Sequence, residues 1–434
     1  MRIAWHMPTL RRHACGLSTR ALELARRLGA EGHDIAFYVR EDKTDIAAGQ
    51  IAGLRVERLR VGPVAAHHWC LQAHARRRSA RRLVRRIGAD HDVFVSCQPE
   101  AIISYAAHHD RKPVLFICGG TTLLHDSADA ERAAGAPWHA RSAYSIDRFL
   151  KHRNEAAAFR AADAVVFDSL ATRQLVIGAY SLDPVRCHTV HGGVDPDVFR
   201  PPQPAQRAAA RRSLGIAEME FVVVWTGRFS PEKNIELLLD AWRLGKPRPG
   251  RLLLIGDGPQ REQVIERIRG LCLEDRVWVV GEQADVRPYL LAADVYAFPS
   301  QGESFGGALV EAMACGTACV GLAADGRRIF NANSEIIGHD ESGLLVRSRD
   351  PVSFAAAIDR LADDVVLREH MGQAARRRAC AHFTWDAGAR RLDRIVRGLV
   401  DEAARRRAPS ADSRSSATES RIDAPRMSCD LQST

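Results

Sequence analysis

The chain has 434 residues, of which 46% are hydrophobic and 26% charged. That length is too great for one ordinary domain and fits about two or three, and the charged share is that of a globular protein. The net charge of +9 comes from arginine, since there are only five lysines. Solvated arginine faces account for such a balance, and attraction to an anionic partner is the sharper alternative.

Ten cysteines are scattered without a Cys-x-x-Cys pair or a zinc-like cluster, which predicts reduced thiols in a cytoplasmic protein. The start, MRIAWHMPTL, lacks a signal pattern. The most apolar stretch, 307–324, contains Glu311 and Gly316 and then reads as turn and strand. A soluble protein is expected, at most peripheral on the inner face of a membrane.

In chain order, RIAWHM reads as a strand and PTLRRHACG as a loop. STRALELARRLGAEGHD carries Leu22, Ala25 and Leu28 at helical spacing, with Ser18 or Thr19 as N-cap and Gly32 as stop. DIAFYVR is the next strand, so a parallel sheet with right-handed crossovers begins here. DVFVSC (92–97), PVLFIC (113–118), DAVVFDS (163–169) and CHTVHGG (187–193) are further short apolar strands, as expected where both sheet faces are covered.

Between the first strands lies RRRSARRLVRR (76–86), with seven arginines and no acid. On a helix, Trp69, Leu71, Leu83 and Val84 could supply apolar contacts beneath a cationic face that adsorbs to anionic lipid, and a solvated arginine face is the alternative. Nucleic acid is not an expected partner, because no aromatic platform accompanies the arginines.

DPDVFRPPQPAQ, with four prolines, predicts an interdomain linker over about 195–208. Alternation then restarts with FVVVWTG (221–227), NIELLLDAWRLG, RLLLIGDG, QREQVIERIRGL, RVWVVGE, DVYAFPS, a helix carrying Glu311, and TACVGLA. The fold class predicted is α/β, with two doubly wound Rossmann-like domains facing each other across a cleft. The N-terminal domain spans 1–200, the second 209–385, a C-terminal helix 386–407, and a disordered tail 408–434.

Ligands of open parallel sheets bind beyond the carboxyl ends of the strands. TGRFSPEKN (226–234) follows a strand and offers Arg228 and Lys233, a planar fork and a point charge suited to a diphosphate. GESFGG (302–307) follows another strand and opens a helix, where Gly306 and Gly307 admit close backbone approach and the first amides attract an anion. Glu303 and Glu311, acceptor-only when ionised, would flank that anion and take hydroxyl groups of a sugar nucleotide. IGDGPQR (255–261) lacks the third glycine of a dinucleotide fingerprint and reads as a tight turn. Asp195-Pro196-Asp197 reads as a turn in the linker, so no essential metal is predicted.

Together, TGRFSPEKN, IGDGP, FPSQGESFGGALVEAMACGTACVG and ESGLLV resemble the retaining, nucleotide-sugar-dependent glycosyltransferases of family 4, which are two-domain GT-B enzymes. HGGVDPDVFRP (191–201) is similar to their interdomain segment. The resemblance implies that Arg228 and Lys233 hold the donor diphosphate, that Glu303 contacts the transferred sugar, and that Glu311 takes the ribose hydroxyls. Ser304, Phe305, Gly306, Gly307 and Leu309 complete the implied donor set, with the amides of 305–307 supporting phosphate or sugar, and Gly16 is a permissive position in the first loop. Cys15 stands where the family has a glycine, and Cys118 where many members have a histidine, with His125 as the candidate substitute and a surface histidine as the alternative reading.

The implied reaction moves a sugar from a nucleoside diphosphate, UDP- or GDP-linked, to an acceptor hydroxyl with retention. The acceptor class, whether saccharide, lipid-linked or small molecule, stays open. Two alternatives keep the fold: a sugar-nucleotide epimerase, and a catalytically inactive nucleotide-sugar-binding partner.

Overall fold

The computed structural model describes residues 1–11, 16–47, 49–51, 53–60, 69–88, 90–108, 111–124 and 138–407. Cys15, His125 and the tail expected over 408–434 lie outside the described residues.

The chain begins with β1 (Arg2–Met7), α1 (Gly16–Ala30), β2 (Asp34–Arg40), β3 (Gly49–Ile51), β4 (Leu54–Leu59), α2 (Trp69–Val84) and β5 (Val93–Ser96). It continues through α3 (Pro99–Ala106), β6 (Val114–Cys118), α4 (Trp138–Ala161), β7 (Ala164–Phe167), α5 (Leu170–Tyr180) and β8 (Cys187–Thr189). These strands form one sheet in the order β3-β4-β2-β1-β5-β6-β7-β8, parallel except for the β3–β4 pair. Four of its strands, β1, β5, β6 and β7, are buried along nearly their whole length, so both faces carry apolar residues.

The second run is α6 (Pro204–Ser213), β9 (Phe221–Thr226), α7 (Ile235–Leu244), β10 (Gly250–Ile255), α8 (Arg261–Gly270), β11 (Val277–Gly281), α9 (Arg287–Ala292) and β12 (Val295–Phe298). It is completed by α10 (Gly307–Ala314), β13 (Ala318–Leu322), α11 (Asn333–Ile336), β14 (Gly343–Val346), α12 (Pro351–Asp363) and α13 (Val365–His382). Its sheet is wholly parallel in the order β11-β10-β9-β12-β13-β14. Every residue of β9 is buried, and Trp225 and Phe229 anchor a core shared with Leu238, Leu254 and Phe354.

Two boundaries differ from the sequence expectation, and the last helix, found where expected, makes a contact that was not foreseen. Ser18 and Thr19 sit inside the first turn of α1, and Ser18 is buried with its hydroxyl 3.4 Å from the Thr9 carbonyl, so neither caps the helix. The linker ends at Gln203, because Pro204 opens α6, where a fixed φ and a missing N–H suit a first helical position. The last helix, α14 (Trp385–Arg407), returns to the first domain: Leu392 and Val396 are buried in the core that holds Leu24 and Leu28 of α1. The chain therefore crosses between the domains twice, and the crossings run side by side, Val194 donating to Phe383 O at 2.9 Å.

Candidate active site

In the second sheet β9 and β12 are neighbours, but their connections leave in opposite directions, which opens a crevice at their carboxyl ends. The turn carrying Arg228 and Lys233 follows β9, and the loop carrying Glu303 follows β12. The main chain stitches the two together: the Gln301 and Gly302 amides donate to Glu232 O at 2.8 and 3.3 Å. The loop after β13 joins them, with Glu303 N on Phe330 O at 3.1 Å and Phe330 N on Gln301 O at 2.7 Å.

Within this frame Lys233 Nζ is ion-paired with Glu303, each side chain 18% exposed. The Arg228 side chain is exposed and engages no side-chain partner among the described residues. Its turn is set by backbone packing, because a Cβ on Gly256 would lie 1.8 Å from Gly227 O, where φ is also +138°. Gly306 is the N-cap of α10 with φ +102°, a left-handed conformation that favours glycine. Leu309 N and Val310 N bond back to Gly306 O at 3.0 and 3.2 Å, so the Gly307 and Ala308 amides stand at the helix start without an intrahelical acceptor. The turn carrying Arg228 and Lys233 and the helix start at Gly307 thus stand at the carboxyl ends of two neighbouring strands.

Glu311 lies one turn deeper on α10 and keeps part of its surface open. Burial pushes its carboxyl up to about 7, so it ionises near neutrality unless a ligand supplies donors.

The other expected donor residues divide. Ser304 turns to the N-terminal domain, its Oγ 3.1 Å from Gly119 O and 3.4 Å from Asp168 Oδ2. Phe305 is buried against His191 and Phe383 at the crossings, so only its backbone is available to a ligand. Leu309 is corrected: its side chain is wholly buried and its amide is used by Gly306 O, which leaves neither for a donor. Gly16 is exposed at the start of α1, and a Cβ there would meet nothing within 4 Å.

Sequence reasoning missed a seam across the domains. Glu335 on α11 accepts from the Leu170 amide at 2.8 Å and the Ala171 amide at 3.3 Å, at the N-terminus of α5, and is hydrogen-bonded to His191. Burial works to raise the Glu335 pKa, and the His191 and Leu170 hydrogen bonds outweigh it, leaving the carboxyl below its ordinary value. Thr172 of the same helix donates to Ser304 O at 3.3 Å. Nothing in the sequence signals these partners, since 144 positions separate His191 from Glu335.

Burial pushes the Cys118 thiol up to about 12, and it donates to Gly120 O at 3.3 Å. Asp195 Oδ1 accepts from Asp197 N at 3.0 Å, forming the expected turn. Leu83 and Val84 are buried in the core, so they offer nothing to lipid, while Arg78, Arg81, Arg82, Arg85 and Arg86 are exposed. The side chains of Trp69 and Leu71 lie outside the described ones. No described helix is long and apolar enough to cross a membrane.

Two doubly wound domains facing each other, with a crevice at the second domain's switch point, are the architecture of the GT-B class. Solved structures agree. Sucrose-phosphate synthase from Thermosynechococcus elongatus superposes with a TM-score of 0.76 at 22% identity, over 92% of this chain and 99% of that one. Anabaena HepE in complex with UDP and glucose gives 0.69 at 20% identity, over 92% and 100%. The family model for Glycosyltransferase Family 4 matches residues 14–198 and that for Glycosyl transferases group 1 matches residues 206–378. The chain belongs to the family 4 glycosyltransferases.

Among curated relatives, D-inositol 3-phosphate glycosyltransferase of Kineococcus radiotolerans is 34% identical over 58% of this chain and 61% of its own length. The same-named protein of Jonesia denitrificans is 35% identical over 48% of this chain and 50% of its own length. The chain thus spans about half to three-fifths of these relatives. The same-named protein of Thermomonospora curvata aligns over 89% of this chain and 91% of its own length at 26% identity.

Proposed function

We propose that this chain transfers a sugar from a nucleoside diphosphate to an acceptor hydroxyl with retention at the anomeric carbon. The observation that carries the reading is the Lys233–Glu303 pair in the loop before the Gly307 and Ala308 amides, which have no acceptor among the described residues, at the switch point where such ligands bind. As the bond from the anomeric carbon to phosphate oxygen breaks, negative charge grows on the diphosphate. Arg228, Lys233 and the start of α10 are the groups arranged to stabilise it, and this reading assigns that work to no metal. The acceptor oxygen bonds the same carbon from the same face, and its proton passes to the departing phosphate.

Glu303 is a positioning and electrostatic group on this reading. Its carboxylate is neutralised by Lys233, which disfavours a role as free nucleophile. Glu311 takes the ribose hydroxyls. The interdomain seam at Ser304 and Glu335 supports closure over the bound donor, which excludes water. A UDP-sugar is the first donor to test, because HepE is described with UDP and with UDP-glucose. Any attraction to an anionic membrane rests on the arginine charges of 78–86, since Leu83 and Val84 pack inward.

An epimerase would need acid and base groups at the cleft, and a thiol with its pKa pushed up to about 12, as in Cys118, is poorly suited to either role near neutrality. The test is a thermal-shift screen with UDP-, GDP-, ADP- and dTDP-sugars, followed by anomeric analysis of the product by NMR. One stabilising donor and a retained anomer are expected. Conversion of the donor alone into its epimer, or donor binding without transfer to any acceptor, would overturn the reading.

A further inference from the structure

A cavity of about 1080 Å³ lies between α14 and the first sheet. Pro113, Ala164 and His188 in its wall stand at the amino ends of β6, β7 and β8. The Gly119 loop that meets Ser304 follows the carboxyl end of β6, so the cavity is at the opposite end of the strands from the donor crevice. Nothing in the transfer reading uses it.

One face of α14 builds a whole wall. Arg391, Arg394, Ile395, Gly398, Leu399 and Ala403 line the cavity and recur at three- and four-residue spacing. Leu392 and Val396, on another face, are buried in the first domain's core. From Arg391 to Arg406 the lining runs about 22 Å at the rise of a helix.

Gly398 is the informative position. A glycine inside a helix is destabilising relative to leucine or alanine. Here a Cβ would meet nothing within 4 Å and the backbone is not left-handed, so neither packing nor conformation accounts for it. The missing side chain instead deepens the groove beside Ile395 and Leu399, which are themselves only partly buried. Val185, 80% exposed, adds apolar surface from the side of the sheet.

Charge is uneven along this groove. Arg111 is engaged by Asp163 at 2.5 and 3.1 Å, and Arg406 by Glu402 at 2.6 Å. Arg391 and Arg394 are exposed and make no ion pair or side-chain hydrogen bond among the described residues. Arg186 gives one N–H to Ala162 O at 2.8 Å, which leaves most of its five donors for a ligand. Burial, then Arg173 and Arg391, hold the His188 imidazole below its ordinary value, so Arg391 stands at the β8 end of the cavity. Asp183, in the turn before β8, accepts from the Val185 amide at 3.0 Å.

We propose that this cavity binds one molecule of an anionic amphiphile, a phosphate monoester of an aliphatic alcohol. Its phosphate meets Arg391, Arg394 and Arg186, and its chain lies along Ile395, Gly398 and Leu399. Guanidinium forks match phosphate oxygens, and the apolar stretch favours a ligand that carries a chain over the bare anion. A free ester and a membrane phospholipid share this chemistry. The free ester fits better, because Asp163, Asp183 and Glu402 along the same groove repel a flat anionic bilayer.

The experiment is calorimetric titration of the full chain with octyl phosphate below its micellar concentration, inorganic phosphate and octyl glucoside. Sedimentation with phosphatidylglycerol vesicles runs beside it. The parent is expected to bind octyl phosphate at least about tenfold more tightly than either of the other two. The double variant Arg391→Ala, Arg394→Ala should weaken octyl phosphate at least about tenfold and leave octyl glucoside unchanged. Gly398→Leu should weaken both octyl compounds about tenfold, with a Tm equal to or above the parent's, leucine being the better helix former. Vesicle sedimentation should be the same for the parent and Gly398→Leu. A parent that does not prefer octyl phosphate to octyl glucoside, or an octyl phosphate affinity that either variant leaves unchanged, would overturn the proposal. Vesicle binding lost in Gly398→Leu would overturn the assignment to a free ester.

Discussion

Lys233 Nζ and the Glu303 carboxylate are ion-paired across 70 positions of sequence, and the pair joins the turn after β9 to the loop before α10. Neither residue reaches the other unless both strand ends face one crevice. The donor reading makes Lys233 a stabiliser of charge that appears only as the diphosphate departs. Lys233→Ala is therefore expected to lower kcat about 10²–10³-fold, as for loss of one preorganised donor. Glu303→Gln should lower kcat with a smaller change in the melting temperature, measured by steady-state kinetics beside a thermal scan.

Glu311 yields a pH prediction. Its folded pKa is raised to about 7, above the ordinary carboxylate value of 4.5, so the native state binds a proton that the unfolded chain has released. Stability from this group is present below the unfolded value and is lost as pH rises through the folded one. Glu311→Gln is expected to stabilise the protein at pH 8 relative to the parent and to change little at pH 4. Donor affinity should run the other way, rising in the parent as pH passes through about 7, because the ionised carboxylate accepts the ribose hydroxyls. In the variant that rise should vanish. Melting curves at pH 4 and 8 and nucleotide titrations at pH 5.5 and 8 check both signs.

Two glycines separate fold from ligand. Gly256→Ala places a methyl 1.8 Å from Gly227 O at φ +138° and should cost about 3 kcal/mol, seen as a lowered Tm. Gly307→Ala meets no atom within 4 Å. Its Tm should match the parent, while diphosphate affinity falls at least about tenfold if phosphate oxygens approach that backbone.

The Glu335 seam predicts a closure phenotype. Its carboxylate takes two N-terminal-domain amides and His191, hydrogen bonds to a charged group worth roughly 1.5–3 kcal/mol each in favourable cases. Glu335→Ala is expected to raise the radius of gyration in solution scattering and to lower kcat/KM about tenfold, with UDP affinity nearly unchanged.

Much of this was legible in the chain. FVVVWT, VLFIC and AVVF are apolar along their length because helices cover both sheet faces, so composition and length alone marked them as strands. The placement of Arg228, Lys233, Glu303 and Gly306 in the segments after two strands was legible, because short apolar runs mark the strands and the polar segments follow them. Leu309 was misread since motif position does not show which side of a short helix faces the core, and it faces the core completely. The Ser304–Gly119 contact and the Glu335 cap were illegible for another reason. They depend on how two independently folded sheets dock, and no local periodicity encodes that.

The central claim is that a diphosphate lies between the turn at Arg228 and Lys233 and the start of α10. Calorimetric affinities of UDP and uridine, or of the base the screen selects, compared between the parent and Arg228→Ala, test it most directly. The account predicts that the parent prefers the diphosphate at least about a hundredfold and that the variant loses at least about tenfold of that preference with nucleoside binding unchanged. Equal diphosphate affinities in parent and variant would contradict it.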